Sequence, residues 1–337
     1  MSTETHYTSA IAETVRSGFV ESVHSAVACI RLADGRHVLT AGDAERFTFP
    51  RSSLKPLQAL APVSAGVVEA FGLTPAEAAI FCGSHRGESF HVDAVRSILG
   101  KIGLDESALQ CGAHWPCEAA SEELRSRGEK PTALHNNCSG KHAGMLAYCV
   151  KAGLPVTSYL DPAQANQQLN IDNIAAMSST CRDDILVGID GCAAPTFGLP
   201  VDGMALAFAR LGAAEYAPDR LRAACQMITA AMTAHPEMIA GTGQSCTRLI
   251  AATEGALVIK DGAEAFFAAA IPDEDMGIAV KVLDGGHRAV VPIALRCLET
   301  IGVVSPDDPL EVGDLWSPAL TNCRGDIVGQ IRARLIE

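Results

Sequence analysis

The stretch Phe49-Pro50-Arg51-Ser52-Ser53-Leu54-Lys55 decides how the rest of the chain is read. Ser52 and Lys55 are three apart, and on the first turn of a helix that spacing puts both side chains on one face. A lone serine hydroxyl is a poor nucleophile. A neighbouring amine takes its proton only if burial or a second cation lowers the amine pKa from its usual value of about 10.4. The alternative is an ordinary helix start, with Ser52 or Ser53 as cap and Lys55 in water. Pro56 fits near a helix start, where its missing N–H costs nothing, so the helix should begin at about Ser52 or Ser53. Pro62 predicts a kink or an early stop.

Upstream, Ser25 to Asp43 reads as a hairpin. Ala26 to Leu32 is strand-like, Asp34-Gly35 is a turn, and His37 to Thr40 is the return strand. Downstream, Thr74 to Ala240 reads as mostly helical. Thr74-Pro75-Ala76-Glu77 has a cap, a first-turn proline and a capping-box glutamate. Further helices are expected at Val92–Lys101, Glu118–Arg127, Lys141–Ala152, Ala163–Met177, Gly203–Leu211 and Ala217–Ala234. After Gly241-Thr242-Gly243 the character reverts. Ala256–Lys260, Ala265–Ile271 and Gly277–Lys281 look like strands, Val290–Ile301 like a helix, and Asp326–Arg332 like a last strand.

Strands thus come from both ends and helices from the middle. The expected fold is α/β (α+β), with one antiparallel sheet formed from both termini and a helical subdomain inserted in it. The sheet part covers about 19–50 and 246–337 and the helical part about 52–240. All of 1–337 is read as a single domain, without repeat or linker.

Of the 337 residues 48% are hydrophobic and 19% charged, enough for a sizeable core. The net charge of −13 argues against nucleic acid or an anionic membrane as partner. No apolar run approaches the roughly 20 residues that span a bilayer. Met1 to Arg16 is polar and does not read as a signal peptide. The twelve cysteines are scattered singly, which points to thiols, metal ligands or catalytic groups over a disulfide framework. The expected location is the cytoplasm.

A second serine–lysine pair comes from distant residues. Ser84 lies in the polar loop Cys82 to Glu88, and Lys260 ends a strand before Asp261-Gly262. Ser-x-x-Lys at a helix start, a serine among helices and Lys-x-Gly on a strand follow the order seen in serine β-lactamases and penicillin-binding proteins. Cys138 and Lys141 are three apart, and Asp190-Gly191-Cys192 adds a thiol. Two thiolates can hold zinc if further ligands complete the site, and lysine could join them once deprotonated. Buried thiols beside a solvated lysine are the simpler account of the same spacing.

Set side by side, these stretches resemble the L-asparaginase II family, the Rhizobium etli type (class 3). The matches are Pro50-Arg51-Ser52 with Lys55, Gly83-Ser84-His85 with Gly87-Glu88, and Asn137-Cys138-Ser139-Gly140-Lys141-His142. Asp190-Gly191-Cys192 with Pro195, His235-Pro236-Glu237-Met238, Gly241-Thr242-Gly243, Lys260 to Glu264, Gly277 to Lys281 and Asn322-Cys323-Arg324-Gly325 follow in order. Ala265 stands where the resemblance leads one to expect glycine.

The resemblance implies hydrolysis of L-asparagine to L-aspartate and ammonia on a serine β-lactamase-like fold, as a homodimer. It implies two serine–lysine tandems, Ser52 with Lys55 and Ser84 with Lys260. It also implies one zinc per chain on Cys138, Lys141 and Cys192, tuning substrate affinity instead of doing the chemistry. The matched motifs supply Arg51, Asn137, His142 and Asp190 as candidate substrate-binding residues. On this reading Ser52 attacks the side-chain amide carbon with Lys55 as base, and Ser84 and Lys260 relay the proton to ammonia. Backbone N–H groups at the start of the Ser52 helix would stabilise the oxyanion. Competing readings are an L-glutaminase, a β-lactamase or D,D-peptidase relative, and a non-catalytic zinc- or amino-acid-binding protein.

Overall fold

A computed structural model describes residues 4–308 and 311–337. Its main sheet has nine strands. Along the hydrogen-bonded order they are Ala319–Thr321, Ile327–Ile336, Ser9–Arg16, Phe19–Leu32, Met276–Val282, Phe266–Ile271 and Val258–Gly262, every pair antiparallel. His37–Ala41 also pairs with Phe19–Leu32, and Thr5–Tyr7 runs parallel to it. The long Phe19–Leu32 strand therefore shares one edge between two partners, Ser9–Arg16 along its first half and His37–Ala41 along its second.

Helices cover the sheet centre on both sides. Val201–Gly212 packs on Phe19–Leu32, Phe266–Ile271 and Met276–Val282, and Val290–Thr300 also packs on these strands and on Ile327–Ile336. A strand covered on both faces needs no alternation, and all six residues of Phe266–Ile271 are buried. Gly277 lets the first of these helices sit close, since a Cβ there would lie 2.2 Å from the Ala205 carbonyl oxygen.

Between the two groups of strands, Lys55–Ser64 forms the central helix. Residues 55 to 63 are all buried, against Ser139–Ala152, Ala165–Ser178 and Arg222–Ala234. Pro62 lies inside this helix, which stops two residues later. The Thr74 capping box is present: Glu77 N–H donates to Thr74 Oγ1 (3.3 Å) and Thr74 N–H to Glu77 Oε2 (2.7 Å).

Several boundaries differ from expectation. The sheet starts at Thr5, not near residue 19, because Ser9–Arg16 buries Ala10, Ala12 and Val15 and seats Glu13 against Arg332 and Arg334 of its neighbour. Residues expected to begin the second sheet segment form the helix Ser245–Ala252, so that segment begins at Val258. The helix expected from Ala217 begins at Arg222, after a short 3₁₀ turn that follows Pro218. A second, three-stranded sheet joins Phe47–Thr48 to Pro195–Pro200 and Leu186–Ile189, and the last two stand inside the stretch expected to be helical. Its strands are two to six residues long and rich in proline and glycine, too short for a periodic signal. It carries Asp190 and Cys192 in its turn.

Candidate active site

The chain reaches Ser52 through a tight corner. Arg51 has φ +54°, a left-handed conformation uncommon for a residue with a side chain. Asp190 holds it there: Arg51 Nε donates to Asp190 Oδ1 at 2.7 Å, and a second guanidinium nitrogen lies 2.5 Å from the same oxygen. Gly191 N–H adds a third donor at 2.8 Å. Burial pushes the Asp190 carboxyl up, but Lys141, Arg51 and that N–H outweigh it and leave it below its usual range. The two matched motifs thus meet as an ion pair. Ser52 follows in a 3₁₀ turn, Arg51–Leu54, and the α-helix starts at Lys55, not at Ser52 or Ser53.

That geometry sends Lys55 inward. It is fully buried, and its Nζ donates to the Gly83 carbonyl (2.5 Å), Ser84 Oγ (2.9 Å) and the Asn137 carbonyl (3.3 Å). Burial lowers its pKa, and the Lys141 and Lys260 cations lower it further, against the Cys138 and Cys192 thiols. The half-buried Ser52 hydroxyl has no hydrogen-bond partner among the described residues. Of the amides in this turn, Ser53 N–H is taken by the Pro50 carbonyl (3.1 Å) and Lys55 N–H by the Ser52 carbonyl, so neither is free for an oxyanion.

Lys260 is also fully buried, yet its Nζ goes to Asp261, at 2.7 Å from Oδ1 and 2.8 Å from the carbonyl oxygen. The expected tandems are therefore not the hydrogen-bonded pairs: Lys55 holds Ser84, and Lys260 holds Asp261. The strand of Lys260 and the turn of Ser52 are clamped together. Ser53 Oγ donates to the Lys260 carbonyl at 2.9 Å, and a Cβ on Gly262 would lie 2.2 Å from the Pro50 carbonyl oxygen.

Cys138, Lys141 and Cys192 converge. Cys138 immediately precedes the helix Ser139–Ala152, one turn before Lys141, and Lys141 Nζ donates to Cys192 Sγ at 3.3 Å. All three are buried. The Cys192 thiol, with Lys55 and Lys141, pushes Cys138 well below the usual thiol range, while the Cys138 partner and burial push Cys192 up. Burial alone would lower the Lys141 pKa, but the two thiols and Asp190 raise it. Two cysteine sulfurs and a lysine amine brought together make a donor set that fits zinc once their protons leave. Among the described residues no group of three or more His, Cys, Asp or Glu is placed for a metal, so Lys141 would have to be the third ligand.

The other expected binding residues divide. Asn137 gives its carbonyl to Lys55, and its N–H donates to His114 Nε2 at 2.9 Å. His142 is turned into the interior, with Nδ1 2.7 Å from the Tyr159 hydroxyl and Nε2 without a partner among the described residues. Burial, Lys141 and Lys55 lower its pKa well below the ordinary value, so the ring is neutral.

A cavity of about 510 Å³ opens from Ser84 and Asn137, walled further by His114, Trp115, Asp261 and His287. Asp261 follows Lys260 directly, inside the strand Val258–Gly262, and nothing in the sequence marked it for a role of its own. His114 and His287 carry no local motif.

A family model described as L-asparaginase II matches residues 12–333. No curated protein matches the chain. Among solved structures, Mglu in its native form is 14% identical with a TM-score of 0.47, over 85% of this chain and 67% of that one. Its glutamate form gives 12% and 0.47, over 84% and 62%. A Bacillus glutaminase gives 15% and 0.37, over 77% and 85%. These are loose likenesses, and the chain spans roughly two thirds of the Mglu length.

Proposed function

The chain belongs to the L-asparaginase II family, and from that premise we propose that it is an L-asparagine amidohydrolase, releasing L-aspartate and ammonia through a serine activated by a neutral lysine. The observation that carries this reading is the fully buried Lys55 amine 2.9 Å from Ser84 Oγ. A buried amine beside two other lysines is poised to be neutral, the state a general base needs.

On this geometry Ser84, not Ser52, is the serine whose proton Lys55 is placed to take. Ser84 Oγ attacks the side-chain amide carbon as its proton passes to Lys55. Lys55 then protonates the departing nitrogen, ammonia leaves, and a water repeats the cycle in reverse on the acyl-enzyme. The unpartnered Ser52 hydroxyl is left free to bind the substrate. The Arg51–Asp190 pair sets the corner that presents it. Cys138, Lys141 and Cys192 would hold the zinc, which when bound supplies a fixed positive charge for anchoring substrate. His142, turned inward to Tyr159, serves on this reading to pack its helix and not to touch substrate.

The serine β-lactamase-like topology, in one domain, is supported by the antiparallel sheet drawn from residues 5–41 and 258–336 with helices between. The homodimer and the cytoplasmic location rest on the family and on composition. Among the described residues no helix is long and apolar enough to cross a membrane.

Ammonia release from asparagine and glutamine in parallel, with and without a chelator, tests the proposal. The two substrates differ by one methylene, worth about 1–3 kcal/mol in an apolar pocket. Faster release from glutamine would move the assignment to a glutaminase, and release from neither would end it.

A further inference from the structure

The two buried lysines of the site are held in opposite ways. Among the described residues Lys55 Nζ hydrogen-bonds only to uncharged groups: two carbonyls and a hydroxyl. Lys260 Nζ meets a carboxylate, and the same residue's carbonyl accepts a second of its protons. A neutral amine at position 260 would have two protons for these acceptors but no positive charge to offset the carboxylate. An ammonium without the carboxylate would stand uncompensated inside the protein, a state that burial strongly disfavours.

We propose that Asp261 is a positioning residue for the amide hydrolysis: it fixes Lys260 as a permanent ammonium beside Lys55, so that the two lysines divide into one cation and one neutral base. The proposal rests on the amidohydrolase reading for its kinetic part. Paired groups whose surroundings drive their protonation apart are the usual sign of such a division of labour.

The surroundings agree. Burial disfavours the Asp261 carboxylate, but Lys260 first, then His287 and the Cys246 thiol, bring its pKa down to about 2. Burial opposes the Lys260 ammonium too, yet Asp261 and then Cys246 and Cys138 leave its pKa raised. His287 Nε2 lies 3.8 Å from Asp261 Oδ2, on the cavity side. The Lys55 helix follows directly on the turn that Ser53 ties to Lys260, and Lys55 has its own pKa lowered, after burial and Lys141, by that cation. The backbone leaves little freedom, since Ser53 Oγ and the Pro50 carbonyl pin the strand on either side of Asp261.

Lysine ¹³Cε spectra of the full chain test this directly, with signals assigned in Lys55→Met and Lys260→Met. In the wild type the Lys260 signal should keep its ammonium shift up to the ordinary lysine pKa of about 10.4. In Asp261→Asn it should show the free amine at neutral pH. Asparagine turnover should then fall at least about tenfold in kcat with KM within about twofold, and Asp261→Glu should recover most of the loss. Lys260→Met with Asp261→Asn buries no charge, so it should fold even if Asp261→Asn alone does not, and should lose as much kcat.

A free amine at Lys260 in the wild type, an unaltered ammonium in Asp261→Asn, or wild-type kcat in the double variant overturns the proposal. So does a rise in KM at constant kcat, which would make Asp261 a substrate contact. A wild-type protein that releases no ammonia defeats the amidohydrolase reading instead, and the spectra still decide the state of Lys260.

Discussion

Lys55 Nζ lies 2.9 Å from Ser84 Oγ, 29 residues further on, and makes no hydrogen bond to Ser52 on its own turn. The reason is local. Ser52 sits in a 3₁₀ turn that ends where the α-helix of Lys55 begins, and that helix is buried along nearly its whole length. The lysine therefore points into the protein, toward the Gly83-Ser84 backbone.

The first prediction follows from that contact. Ser84→Ala should lower kcat on asparagine by several orders of magnitude, as removal of a nucleophile does. Ser52→Ala should cost much less, about ten- to a hundredfold. Both should keep wild-type melting temperatures, because each removes one oxygen from a half-buried position. Mass spectrometry of an acid-quenched reaction should find the acyl group on the peptide of Ser84. An adduct on the Ser52 peptide, with the mutant costs reversed, would return the nucleophile to Ser52.

The second concerns the protonation of Lys55. Only the neutral amine accepts a proton, so kcat/KM should rise with pH through the Lys55 pKa. Burial, with the Lys141 and Lys260 cations, depresses that pKa against the Cys138 and Cys192 thiols, so the rise should be centred below about 10.4. Lys260→Met removes one cation and should move the rise to higher pH. Lys55→Arg retains charge but supplies no neutral base, and should be as damaging as Lys55→Met. A profile that falls with rising pH across this range would mean that Lys55 acts as a cation.

Metal content gives the third. Elemental analysis should find about one zinc per chain, absent in Cys138→Ser and Cys192→Ser. Each ligand must shed its proton to bind, so occupancy should fall as the buffer is acidified. Chelation should raise KM and leave kcat nearly unchanged. Metal-free protein with an unchanged KM would leave two ordinary thiols and a lysine.

The fourth separates strain from charge at Arg51. Arg51→Gly and Arg51→Ala lose the same ion pair with Asp190. Glycine adopts φ +54° freely, whereas alanine does not. The alanine variant should be less stable in urea by about 1 kcal/mol. Equal midpoints would mean that the corner relaxes once the ion pair is gone.

How far the sequence could be read depended on the range of the signal. The Asp34-Gly35 hairpin, the Thr74 capping box and the buried strand at 266–271 are written in residues within a few positions of one another, and they were legible. Spacing and donor chemistry already offered Cys138, Lys141 and Cys192 as one group, and the family resemblance chose it over ordinary thiols beside a solvated lysine. The strand Ser9–Arg16 was passed over because Glu13 and Thr14 interrupt its apolar pattern, and the arginines that pair with Glu13 lie more than 300 residues away, on the last strand of the chain. The pairing of Lys55 with Ser84 depends on where a 3₁₀ turn gives way to an α-helix, a shift of a residue or two that spacing does not specify. Asp261 was hidden in plain view beside Lys260, since adjacent residues on a strand normally point to opposite faces.

The hydrogen bond from Ser53 to the Lys260 carbonyl spans 207 residues. During translation the serine turn emerges long before the strand that clamps it. At about 5–20 residues per second, the nascent chain waits of the order of ten seconds or more for that partner. Through this interval the edge of Phe19–Leu32 that will receive Met276–Val282 has no strand beside it. An unpaired strand edge is a template for association with other chains. Yield of active protein in a heterologous host should therefore respond more to slower growth temperature and chaperone supply than to substitutions that raise the melting temperature of the finished fold.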